Sequence, residues 1–213
     1  MKPPSTAIRT MPRSGIREIF DLASTMPGAI HLEMGEPNFA TPEHVRRAAA
    51  EAAETGHTKY TPNAGLPELR EALAEKIRVR NHLDVAADQV VVTPGAIAAL
   101  FGTVLALCEP GDEVLVSDPS WPNYRMIADL LNLRLRSFPL DPAAGMQPDP
   151  DMVRTMVGDR TKAIVLNTPS NPTGAVMEPD VARALLEVAA STGTWVISDE
   201  VYDEMTFDGT QPS

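Results

Sequence analysis

The sequence is poor in cysteine. Of its 213 residues Cys108 alone carries a thiol, so no internal disulfide can form, and a reducing, cytoplasmic setting is expected. Basic side chains are outnumbered, 18 against 29 acidic ones, for a formal net charge of −11. A chain of that sign is a poor holder of nucleic acid or of an anionic membrane surface, and neither is expected as a partner. Long apolar runs are missing too. The longest near-apolar stretch, residues 95–108, falls short of the roughly 20 residues a membrane span needs and reads as a buried helix. The first ten residues lack a signal-peptide profile. Asn171, the only near-match to a glycosylation site, is followed by Pro172, which blocks it. GxSxG, HExxH, P-loop and GxGxxG patterns do not occur, and His31, His44, His57 and His82 lack metal-ligand spacing. No metal is expected.

What the sequence does have is proline. Twenty prolines are spread along the chain, well above the usual ~5%, and punctuate turns. Residues 1–40 show little periodicity and read as an extended arm with one short helix around 16–25. Thr41 as N-cap and Pro42 at the first position open a helix to about Glu54, and a second opens at Pro67 with Leu69, Leu73 and Ile77 on one face. From residue 89 the pattern alternates. Strands are expected at 89–93, 113–117, 133–138, 161–167 and 194–199. Between them come a striped helix carrying Ile97, Leu100, Phe101, Val104, Leu105 and Cys108, then helices near 122–131, 149–157 and 179–192. This order predicts an α/β fold, a three-layer αβα arrangement with a mostly parallel sheet between helices.

In such sheets ligands sit beyond the carboxyl ends of the strands. Four of the five predicted strand ends carry unusual groups. Gly95 precedes an apolar helix and offers free amides for a phosphate, or simply an ordinary β–α turn. Trp121 lies in a Pro-flanked loop and could stack on a ligand ring or half-cover the core. Asn171 sits in the stiff run NTPSNPTG, as a ligand contact or as a turn former. Asp199 follows Trp195, Val196 and Ile197 where a central strand leaves the core; it is either a turn carboxylate or the counter-ion of a cationic ligand atom. Tyr202, three residues on, could add a phenol donor. Cys108 lies on the apolar stripe and reads as core.

Taken together these segments resemble the class I/II aminotransferases, the fold-type-I enzymes that use pyridoxal 5′-phosphate. The matching stretches are GEPNF (35–39), KYTPNAGLPELREALAEK (59–76), VVTPGAIAAL (91–100), PGDEVLVSDPSWPNY (110–124), NTPSNPTG (167–174) and SDEVY (198–202). They stand in family order and cover nearly the whole chain from about residue 16. The resemblance implies that Asp199 pairs with the protonated pyridine nitrogen and keeps the ring an electron sink. It implies that Tyr202 and Asn171 hydrogen-bond the ring's phenolic oxygen and that Trp121 stacks on the ring face. Gly95, Ala96 and Ile97 would hold the phosphate, with Ile97 standing where the family often has a hydroxyl or a lysine. Tyr60 would reach the phosphate of a neighbouring subunit, implying a homodimer, and Gly35 would contact the substrate carboxylate through its backbone.

Two further implications concern extent. The family's cofactor-binding lysine falls a few tens of residues after the SDEVY-like aspartate, and none of Lys2, Lys59, Lys76 and Lys162 matches it. The expectation is therefore an N-terminal portion of an enzyme about twice as long, by the extent of the resemblance. Residues 1–44 would form an arm and the start of a small domain, and 45–213 a truncated cofactor-binding large domain, inactive alone. The sheet's missing strands would insert between the first and fourth expected here. The implied reaction transfers an amino group from an amino acid to a 2-oxo acid. A β-lyase or synthase on the same fold, or a non-catalytic cofactor-binding or dimerisation module, are the alternatives.

Overall fold

The computed structural model describes residues 2–11, 15–33, 35, 37, 39–205 and 207, with Arg17 described in its backbone only. In chain order these residues form helices α1 (Thr6–Thr10), α2 (Gly15–Ala23), α3 (Glu43–Glu54), α4 (Pro67–Arg80) and α5 (Ala96–Leu107). Strand β1 (Glu113–Asp118), helix α6 (Pro122–Leu130), β2 (Arg134–Asp141), β3 (Gln147–Pro148), α7 (Pro150–Met156), β4 (Thr161–Asn167), α8 (Pro179–Thr192) and β5 (Trp195–Asp199) follow. Two compact units result, one of Arg13–Val92 and one of Met1–Pro12 with Thr93–Ser213. Among the described residues no helix is long and apolar enough to cross a membrane.

In the Arg13–Val92 unit, α3 begins one residue later than the sequence suggests. Pro42, not Thr41, takes the N-cap position and no side chain caps the helix. Thr41 is then one residue too early for its hydroxyl to reach the first amides, and its carbonyl instead accepts from Arg46 Nε at 2.9 Å. Helix α4 starts on Pro67 as expected and ends with Arg78 and Arg80 in its last turn, where positive charge suits the helix dipole. Ahead of it Gly65 (φ +101°) packs so closely on Val92 that a Cβ would stand 2.6 Å from Val92 Cγ2.

Residues 89–93 are not a strand. A 3₁₀ turn covers Ala87–Gln89. The Val90 carbonyl accepts from Arg70 Nε at 2.8 Å, and the Val92 amide donates to the Ala64 carbonyl at 2.9 Å. The valine run has strand composition, but a strand exists only through a ladder, and no neighbouring strand offers one among the described residues.

The second unit holds the sheet, in the order β3-β2-β1-β4-β5. β1 runs parallel to β2 and β4, and β4 parallel to β5, with Asn167 opposite Asp199 at the carboxyl end. The short β3 adds an antiparallel edge through Leu140–Pro148 and Asp141–Gln147. The Asp141-Pro142 turn is as expected: Asp141 caps a 3₁₀ turn through the Ala143 amide. Alternation along the strands feeds two cores. Val114, Val116, Ala163, Val165 and Ile197 join Leu100 and Val104 of α5 and Tyr124, Ile127 and Ala128 of α6. Leu115, Phe138, Ile164 and Leu166 join Val153 of α7 and Leu185, Val188 and Ala189 of α8. Helices thus cover both faces, giving the expected three-layer α/β fold. The expected stripe of α5 is narrower than read. Leu100 and Val104 are its buried residues, while Leu105 stays exposed, because the helix is apolar nearly all round and only one side meets the sheet. Among the described residues the edge on this side of the sheet is β5 and not the fourth expected strand, since β5 pairs with that strand.

Candidate functional site

The chain steps from β1 outward to β2 and then returns across β1 to β4. That reversal places a topological switch between β1 and β4, with a crevice beyond their carboxyl ends. A cavity of ≈ 130 Å³ opens there. Its walls come from the loops that leave β1 and β4, from the end of β5, and from the start of α5.

Asp199 closes β5 and is 9% exposed. Among the described residues it is the only formally charged one lining the cavity, so it offers a complement to a cationic group. Its carboxylate oxygens are unequally held. Oδ2 accepts from the Tyr124 hydroxyl at 2.5 Å, whereas among the described residues Oδ1 has only a long contact, 3.4 Å, from the Val201 amide. The turn-former role is therefore present but weak. Asn167 Nδ2 donates to the Asp199 carbonyl at 2.9 Å, and the Asn171 amide donates to Asn167 Oδ1 at 2.7 Å. One side chain thereby pins the end of β5 to the Pro-rich loop.

Trp121 occupies the N-cap position of α6, with Pro122 behind it. It packs against the core and also lines the cavity, so both sequence readings describe it. Its ring meets that of Tyr124 edge-on, with centroids 5.7 Å apart and planes at 88°. Burial, then the bond to Asp199 and that carboxylate's charge, push the Tyr124 phenol well above the ordinary tyrosine range.

The start of α5 forms another wall. Gly95 is its N-cap, at φ +83°, with no side-chain cap, and a Cβ there would meet nothing within 4 Å. Backbone conformation, not crowding, asks for glycine; its own amide donates to the Thr93 carbonyl at 2.8 Å, while the Ala96 and Ile97 amides of the first turn have no intrahelical acceptor. Ala96 lines the cavity, and Ile97 follows it, partly exposed. Asn171 and Tyr202 complete the lining. Among the described residues neither the Asn171 side-chain amide nor the Tyr202 hydroxyl has a hydrogen-bonding partner.

Of the residues singled out from sequence, Ala96, Trp121, Asn171, Asp199 and Tyr202 therefore meet around one cavity. Gly35 and Tyr60 belong to the other unit, where both are exposed and Tyr60 fully so. Sequence reasoning missed Tyr124 and Asn167. The signal for Tyr124 was its place three residues after Trp121, on the same side of a helix start.

The donor set suits a flat, anionic cofactor with a protonated ring nitrogen. It supplies one anionic acceptor, an indole wall, an unpartnered amide and phenol, and a helix start with open amides. Comparison with known proteins agrees. A family model described as aminotransferase class I and II matches residues 27–213. A probable aspartate/prephenate aminotransferase of Thermus aquaticus is 44% identical over 84% of this chain and 47% of its own length. A probable aspartate aminotransferase of Methanocaldococcus jannaschii is 38% identical over 96% of this chain and 53% of its own. Among solved structures, the Thermus thermophilus aspartate aminotransferase with maleate superimposes with a TM-score of 0.95 at 39% identity. It covers 100% of this chain, which spans 57% of that one. The chain thus spans about half the length of the relatives it matches. Matched over most of its own residues, it belongs to the aminotransferase class I and II family, whose members depend on pyridoxal phosphate.

Proposed function

We propose that these residues are the N-terminal portion of a pyridoxal-phosphate-dependent aminotransferase that moves an amino group from an amino acid to a 2-oxo acid. The observation that carries this reading is Asp199, a nearly buried carboxylate lining a cavity that holds no other formal charge among the described residues, one of its oxygens held by Tyr124 and the other met only by the long Val201 contact. Bound there, the cofactor would supply an electron sink for charge developing at the substrate's α-carbon.

The chain's own residues do the rest. Asp199 holds the proton on the ring nitrogen, and Trp121 covers the ring face and excludes water. The Asn171 amide and the Tyr202 hydroxyl donate to the ring's phenolic oxygen. The amides of Ala96 and Ile97 receive the phosphate, with Ile97 adding no side-chain donor; the Gly95 amide, expected to share this task, already donates to the Thr93 carbonyl at 2.8 Å. Gly35 offers backbone contact to the substrate carboxylate. Tyr60 reaches the phosphate site of a partner subunit in a homodimer. Its full exposure, with the high exposure of Ile30, Leu32 and Phe39 in the same unit, supports a surface made to be covered. Residues 1–44 belong to the arm and small domain and 45–213 to the large domain. Among the described residues no lysine lines the cavity, so these residues alone are expected to bind the cofactor without covalent attachment and without turnover. The setting is cytoplasmic, in keeping with the single thiol.

The relatives' names favour transamination over lyase chemistry and make aspartate the amino donor to assay first. The test begins with the protein as its native source makes it. Its intact mass is expected near twice the 22.9 kDa of these residues, and it should bind pyridoxal phosphate and transaminate. Asp199→Ala in that protein should bind the cofactor weakly and lose transamination by orders of magnitude. Near-normal turnover in the variant overturns the assignment.

A further inference from the structure

Tyr124 has no role in the reading above, yet it makes the shortest contact to the group that carries it. Its hydroxyl stands 2.5 Å from Asp199 Oδ2. The residue is 5% exposed and its ring lies in the core with Val165 and Ile127, so the phenol cannot swing away without opening that core. The same ring takes the edge of Trp121 at 88°. One side chain therefore braces two walls of the cavity, the carboxylate and the indole. Burial and the neighbouring carboxylate make the phenol a weaker acid, which keeps it an O–H donor throughout the neutral range.

We propose that Tyr124 is a positioning residue for the cofactor site: by donating to Oδ2 it fixes the plane of the Asp199 carboxylate and presents Oδ1 to the cationic ring nitrogen. A carboxylate at a strand end can otherwise rotate about its own side-chain bonds, and its best acceptor direction would sweep past the cavity instead of pointing into it. The Val201 contact at 3.4 Å is too long to stop this alone. The proposal rests on the assignment of Asp199 made above.

The experiment is a double-variant cycle in the full-length protein, with pyridoxal phosphate as the probe and its affinity read by absorbance. Tyr124→Phe keeps the ring and removes one oxygen. It should weaken cofactor binding about ten- to hundredfold, the range for a hydrogen bond to a charged group, with little change in Tm. In an Asp199→Ala background the same substitution should cost nothing more, because the group it acts through is gone. A Tyr124→Phe protein that binds within about twofold of the unsubstituted one overturns the proposal; that margin is smaller than any charged hydrogen bond's worth. So does an equal loss in both backgrounds, which is the mark of packing alone. Should the phenylalanine variant fail to fold, 3-fluorotyrosine at position 124 keeps the contact and changes its strength. A changed cofactor affinity then supports the proposal, and an unchanged one overturns it. If Asp199→Ala itself leaves binding intact, the reading of Asp199 falls first, and that outcome does not depend on Tyr124.

Discussion

At the scale of residues, the cavity is a problem in unequal oxygens. Asp199 and Asn167 face one another across the β4–β5 register, and the Tyr124 hydroxyl and the Asn171 backbone amide both bond to this pair. Trp121 is the residue whose contribution separates most cleanly from folding, because it is only partly buried and stands at a helix start. Trp121→Ala should weaken cofactor retention about fivefold, the equivalent of roughly 1 kcal/mol of ring contact, while the circular dichroism and unfolding midpoint stay near those of the parent. An unchanged cofactor affinity would reduce Trp121 to a cover for the core. Asp199, Trp121, Asn171 and Tyr202 were legible in the sequence because each is a polar or aromatic group standing where apolar periodicity breaks. Tyr124 was not, because it lies within a helix that also carries Ile127 and Ala128 and so passes for one more core aromatic. Asn167 was hidden for another reason. Its work is to bind backbone, through the Asp199 carbonyl and the Asn171 amide, and residue type alone does not announce such a task.

At the scale of elements, the helices after residue 95 were readable to within a residue or two, since prolines open α6, α7 and α8 and Gly193 closes the last. The valine run at 90–92 misled for the converse reason. Its composition satisfies every local rule for a strand, but pairing is not a local property. The two informative glycines differ in what they protect. At Gly95 only the positive φ resists a side chain, whereas at Gly65 a Cβ would also overlap Val92. Gly65→Ala should therefore cost about 2–4 kcal/mol, combining backbone strain with overpacking. Gly95→Ala, at φ +83° and ψ 162° where almost only glycine sits, should cost about 1–3 kcal/mol. Urea unfolding of the two variants checks the order, and equal losses would show that the Gly65–Val92 contact yields freely.

At the scale of the whole molecule, the sheet ends on β5, whose Trp195 is 59% exposed. An open, apolar-bearing edge is a template for pairing with other chains. The 213 residues produced alone should self-associate, with light scattering rising with concentration. Charge substitution of Trp195 with lysine should reduce it, and scattering indifferent to that change would place the sticky surface elsewhere. The same edge has a thermodynamic side. The strand that carries Asp199 is tethered laterally to β4 alone among the described residues, so any molecule gripping that carboxylate is also a rivet through the loosest rib of the sheet. Ligand occupancy and strand order become a single equilibrium, and each tenfold rise in free ligand above its dissociation constant deepens the ordered state by about 1.4 kcal/mol. Amide exchange along 195–199 would then serve as a gauge of how full the cavity is, read some distance from the ligand itself.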